Sequence, residues 1–171
     1  MRIAKIERNS IANGPGVRTV VWCQGCSIHC PGCHNKDTWD PEGGDSLKLY
    51  DKVTILNSLD NSYVDGITFS GGHPLEKYNI QGVFELAAMV REKFHLDKTI
   101  WLYTGLEVTY HAITSNTVMG HLFRMCDVVV DGPYVEEKRD LRLPYCGSSN
   151  QRVIDIRQTL LNKEITLYKE Q

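Results

Sequence analysis

A chain of 171 residues is long enough for one domain with a sizeable core and short for two. Its 42% hydrophobic and 23% charged residues are the balance of an ordinary globular protein, and a net charge of −2 gives no basis for binding nucleic acid or an anionic membrane. The N-terminal stretch MRIAKIERNSIANGPG lacks the apolar core of a signal peptide, and no later run could span a bilayer, so a cytoplasmic protein without membrane contact is expected.

In chain order, Val17–Trp22 is a β-branched run that reads as a strand ending just before a group of cysteines. Gly43-Gly44 then breaks the chain. Ser46–Leu59 has apolar residues at helical spacing (Leu49, Val53, Leu56), with Asp45 or Ser46 as N-cap. Asp65–Ser70 reads as a short buried strand stopped by Gly71-Gly72. Ile80–Phe94 is patterned as a helix through Ile80, Val83, Phe84, Ala87 and Val90. Thr99–Tyr103 is a strand ended by Thr104-Gly105. Glu107–Arg124 reads as helix in pieces, and Asp127–Asp131 as a buried strand ended by Gly132-Pro133. Pro133 to Gln151 is a long polar loop, and long loops in compact domains often carry function. Val153–Ile156 and Ile165–Tyr168 are expected to be a final pair of strands. Strands joined by helices imply an α/β fold with a mostly parallel sheet, whose ligands sit beyond the carboxyl ends of the strands.

Cysteine usage is the sharpest signal. Four of six cysteines fall between Cys23 and Cys33, and the others are Cys126 and Cys146. A disulfide scaffold spreads its cysteines and belongs in an oxidising compartment, so this cluster reads as a metal site. CQGCSIHCPGCHN has two parsings. Cys23, Cys26, Cys30 and Cys33 could close a tetrahedral zinc site, although the two pairs are unusually close together. Alternatively, Cys26, Cys30 and Cys33 bind an iron–sulfur cluster, leaving one iron open for chemistry, with Cys23 a bystander on the strand. Pro31-Gly32 would bend such a loop, and amides there could donate to sulfur. A ferredoxin is disfavoured because it would need a fourth ligand, which only Cys126 or Cys146 could supply.

The turn FSGGHP presents Gly71 and Gly72, where a backbone can approach a ligand closely. His73 is assigned no role, and His29 is taken as solvent-facing. Asp131, at the end of a valine strand, is equally a site residue or the cap of the next turn. Thr104 and Gly105 are weaker candidates at the end of the preceding strand.

The spacing C-x3-C-x2-C after the first predicted strand resembles the signature of the radical S-adenosylmethionine superfamily. The segments GPGVR, CHNKDTWD, WLYTG, DVVVDGPY and KRDLRLPYCGSSNQRVID, in that order from about Gly14 to Ile156, resemble the glycyl-radical activating branch. The match within it is to the activating proteins of anaerobic ribonucleoside-triphosphate reductases. The resemblance implies one domain over residues 1–171, folded as an incomplete β/α barrel. It implies a 4Fe-4S cluster on Cys26, Cys30 and Cys33, and S-adenosylmethionine held near Gly32, His34, Gly71, Gly72 and Asp131. His34 would lie near the adenine, and the Gly-Gly turn would receive the amino group. The implied reaction is reductive cleavage of S-adenosylmethionine, with the 5′-deoxyadenosyl radical taking hydrogen from a glycine near the C-terminus of the reductase large subunit. The electron would come from reduced flavodoxin or a similar donor. The resemblance implies no acid–base catalyst. Arg139, Arg142 or Arg152 is expected to contact the partner. The rival readings are another radical S-adenosylmethionine enzyme, whether a different activase or one with a small-molecule substrate, and a zinc-stabilised binding module.

Overall fold

In the computed structural model, which describes residues 1–169, seven strands build one sheet. They are β1 (Arg2–Ser10), β2 (Arg18–Cys23), β3 (Asp45–Ser46), β4 (Gly66–Gly71), β5 (Thr99–Tyr103), β6 (Val128–Asp131) and β7 (Arg152–Asp155). The spatial order is β3-β1-β2-β4-β5-β6-β7. The central strands β2, β4, β5 and β6 pair in parallel, and β1, β3 and β7 are antiparallel at the flanks. The architecture is thus mixed α/β, with an open sheet. The central strands are short apolar runs buried along nearly their whole length, as strands covered on both faces must be.

The helices are α1 (Leu49–Leu59), α2 (Ile80–Phe94), α3 (Tyr110–Thr114), α4 (Val118–Met125) and α5 (Ile156–Asn162). Alternation along the strands divides the two faces. Ile67, Phe69, Ile100, Leu102, Val129 and Ile154 share the main core with Ile55 and Leu59 of α1, Val83, Leu86 and Val90 of α2, and Leu122 and Phe123 of α4. Trp101, Val128 and Val130 face the other way, against Tyr145, Cys146 and Tyr168. One face therefore carries the helices and the other is covered by loops.

Four sequence expectations need correction. Asp45 and Ser46 do not cap α1. They pair with β1, and the helix starts after Lys48, whose amide donates to the Asp51 carboxylate (2.8 Å). Nor do Leu49 and Val53 face the core. They are 74% and 45% exposed, while Ile55 and Leu59 are buried. β1 was not anticipated, because Lys5, Glu7 and Arg8 interrupt its alternation and its pairing with β2 is irregular. The final pair of strands is one strand, β7, followed by α5, whose N-terminus is capped by Asp155 accepting from the Gln158 amide (2.8 Å). Residues 165–168 meet β7 through a single bridge, Ile154 to Leu167.

Arg18 ties three strands together beneath the loop-covered face. It is fully buried. Its guanidinium donates to the Thr68 and Thr99 hydroxyls (2.7 and 2.9 Å) and to the carbonyls of Ile67 and Thr99 (2.9 and 3.1 Å). It lies 5.5 Å from the Trp101 ring centroid. Burial pushes its pKa down to about 10, so it stays charged at neutral pH. Arg18→Ala is expected to lose about 3 kcal/mol of stability through abandoned buried acceptors and a cavity. Urea denaturation would read this as a lower midpoint, and an unchanged midpoint would contradict it.

Candidate active site

The cysteine loop leaves the end of β2 and closes on itself at its neck. The Gly25 amide donates to the Thr38 carbonyl (2.7 Å) and the Cys26 amide to that of Trp39 (3.1 Å). The Gln24 side chain bonds the carbonyls of Asp37 and Asp40 (3.2 and 2.8 Å), pinning the returning limb. Inside the loop, the Cys33 amide donates to the Cys30 carbonyl (3.1 Å) across Gly32, whose φ of +75° suits glycine. The Asn35 amide lies 3.4 Å from Cys33 Sγ and donates toward it.

The Gly-Gly turn lies directly beside this neck. In the parallel register Cys23 is level with Gly71. The Gly72 amide donates to the Cys23 carbonyl (2.8 Å) and the His73 amide to that of Gly25 (2.8 Å). A Cβ on Gly72 would lie 2.5 Å from the Gly25 carbonyl oxygen and 2.7 Å from that of Thr38. Only glycine permits this approach.

A cavity of about 390 Å³ opens at the carboxyl ends of the parallel strands. Its volume is that of a small-ligand pocket. Cys26, Cys30, Cys33 and His34 form one wall, and Gly71, Gly72, Thr104 and Gly105 form the rim at the strand ends. Trp22, Ser70 and Tyr103 line it from the sheet, and Tyr134, Leu143, Tyr145 and Cys146 come from the long loop. The structure thus brings together the three expected ligands, both turn glycines and His34.

Other candidates lie elsewhere. Asp131 is 1% exposed and does not line the cavity. Its carboxylate is taken by Arg152 and by the Val108 amide (2.7 Å) rather than directed into the cavity. The same pairing holds Arg152, whose side chain is 38% exposed. Arg139 and Arg142 are exposed, Arg142 bonding Asp140. Gly32 forms the turn rather than the wall, and Glu136 from the long loop packs against it. His29 is exposed as expected, yet stacks on Trp39 with ring centroids 4.5 Å apart. Cys126 is buried in the main core.

Cys23 is fully buried in the main core, where burial pushes its thiol pKa up to about 12, and it does not line the cavity. A four-thiolate zinc site is therefore not assembled. Among the described residues, no three His, Cys, Asp or Glu side chains converge tightly enough to hold a single ion. A cluster spreads its thiolates over separate irons, so three thiols along one wall, with an amide directed at sulfur, fit a cluster better than a lone ion.

Sequence reasoning missed several residues here. His73, assigned no role, is 4% exposed, with Nε2 2.8 Å from the Thr104 hydroxyl. Glu76 grips Ser27 inside the cysteine loop. Their three-residue spacing straight after the glycine turn was the available signal. Tyr134, edge-on to His34 at 6.3 Å, and Cys146 left no local pattern.

A family model described as a 4Fe-4S single cluster domain matches residues 12–154. An anaerobic ribonucleoside-triphosphate reductase-activating protein of Escherichia coli (strain K12) is 34% identical over 149 residues, covering 86% of this chain and 94% of the relative. The proteins of the same name from Enterobacteria phage T4 and Vibrio cholerae are each 31% identical, over 90% and 82% of this chain and 93% and 89% of their own. The chain belongs to this activating-protein family. The family-model match takes in the cysteine loop, the glycine turn and the whole of the long loop, the segments that wall the cavity.

The close approach at Gly72 gives a direct test of this geometry. Gly72→Ala is expected to cost about 2 kcal/mol, because backbone on both sides resists the added methyl. Gly105→Ala should be nearly neutral, since its Cβ would meet only the flexible end of Ile28. Equal melting temperatures for the two variants would contradict the described neck.

Proposed function

We propose that this protein activates an anaerobic ribonucleoside-triphosphate reductase by generating a glycyl radical on its large subunit. The observation that carries the reading is that Cys26, Cys30 and Cys33 line one cavity together with Gly71 and Gly72, in a chain of the activating-protein family. Cys26, Cys30 and Cys33 would hold a 4Fe-4S cluster, with Cys23 and Cys126 remaining core thiols. When bound, that cluster supplies the electron for reductive cleavage of S-adenosylmethionine.

The chain's own residues bind, orient and exclude water. Gly71 and Gly72 line the cavity at the strand ends, and their lack of side chains lets the cysteine loop pack close against them. His34 lies on the wall with Tyr134 against it and is the candidate contact for the adenine. Gly32 bends the loop between two ligands. Asp131 acts indirectly, holding Arg152 and the Val108 amide beneath the rim. In this reading residues 1–171 form one domain with the incomplete barrel of the radical S-adenosylmethionine enzymes. The seven-stranded sheet with helices on one face supports it. The partner's glycine would enter beside the long loop. Reduced flavodoxin or a similar donor in the cytoplasm would supply the electron. Among the described residues, no helix is long and apolar enough to cross a membrane.

The experiment is anaerobic: reconstituted protein with S-adenosylmethionine and a reductant, with and without the reductase. The reading predicts 5′-deoxyadenosine and a glycyl signal in electron paramagnetic resonance that requires the reductase. Cofactor cleavage without that signal would redirect the search to another substrate. Reversing charge at Arg139 and Arg142 together should weaken co-purification with the reductase, and unchanged binding would remove them from the interface.

A further inference from the structure

Glu76 is the acid that holds the cysteine loop. Its side chain is 11% exposed, in the turn between β4 and α2. Oε1 accepts from the Ser27 amide (2.7 Å) and the Ser27 hydroxyl (2.6 Å), both immediately after Cys26. The same oxygen lies 3.4 Å from His73 Nδ1. On its other side, His73 Nε2 is 2.8 Å from the Thr104 hydroxyl, which accepts from the Leu106 amide (3.1 Å). The arrangement consistent with that network has Thr104 donating to Nε2, and Nδ1–H directed at Glu76. A continuous polar chain thus runs from the Cys26 arm of the loop to the end of β5.

Burial opposes charge on Glu76, but the bonds from Ser27 and the contact with His73 outweigh it and hold its pKa below the ordinary carboxylate value. A fixed negative charge beside a cluster disfavours an added electron, and outer bonds that hold a ligand arm slow its release.

We propose that Glu76 is a positioning residue for the cluster, fastening the Cys26 arm to the strand ends through His73 and keeping a negative charge beside the thiolates. This rests on reading Cys26, Cys30 and Cys33 as cluster ligands. Glu76→Gln keeps the shape and one acceptor oxygen but removes the charge. Glu76→Ala removes both. Wild type and both variants would be reconstituted anaerobically, checked for folding by circular dichroism, and titrated for midpoint potential by electron paramagnetic resonance. Iron release to a chelator would be timed alongside. Glu76→Gln is expected to keep its fold and move the midpoint to a more positive value. Glu76→Ala is expected to lose iron on the order of tenfold faster than wild type. A folded, cluster-bearing Glu76→Gln with the wild-type midpoint would overturn the proposal, whatever Glu76→Ala does. Wild type that holds no cluster would overturn the parent reading as well, so the two failures are distinct.

Discussion

Parallel pairing of β2 with β4 sets Cys23 level with Gly71, and the site follows from that register. The last rung of the ladder is extended beyond both strands by the bonds from Gly72 to Cys23 and from His73 to Gly25. The cysteine loop and the glycine turn are therefore two continuations of one paired ladder. A one-residue slip would turn every side chain of the strand to the opposite face, so burial of Val21, Ile67 and Phe69 in the main core protects the register. Core packing in the middle of the sheet thereby fixes geometry at its end.

The second constraint is the division of the sheet into two unlike faces. The helices of the main core occupy one face and leave the other to the second cluster, which the long loop and the C-terminal segment cover. The cavity forms where that loop cover meets the strand ends. Its lining mixes aromatic side chains with exposed backbone, which suits an amphipathic ligand. Buried charges on both faces of the sheet are satisfied locally. Arg18 bonds hydroxyls and carbonyls of neighbouring strands, and Asp131 bonds Arg152 and the backbone. Each secures the platform from below without touching the cavity.

Much of this was legible in the sequence, and for definite reasons. β5 and α2 matched expectation because a buried strand and an amphipathic helix each have a period that composition reveals. That the three cysteines and both glycines belong to one site was legible because metal loops and close backbone approach demand particular residue types, and the cavity brings them together. What escaped depended on tertiary contact. β1 is a strand because β2 and β3 offer it partners, despite its broken pattern. Leu49 and Val53 keep a helical spacing that the core does not use. Asp131 read equally as a site residue or a turn cap, and its actual partner, Arg152, lies twenty-one residues on and left no local pattern. Glu76 carries its signal in a contact forty-nine residues away, at Ser27.

The account depends most on which thiols hold metal. The most direct measurement is the iron and acid-labile sulfide content of anaerobically reconstituted wild type beside single Cys-to-Ala variants at positions 23, 26, 30 and 33, each checked for folding. The account predicts four irons and four sulfides for wild type and Cys23→Ala, by the stoichiometry of a single 4Fe-4S cluster, and a depleted or unstable cluster in the other three. Loss of metal from folded Cys23→Ala, or zinc in place of iron throughout, would contradict it.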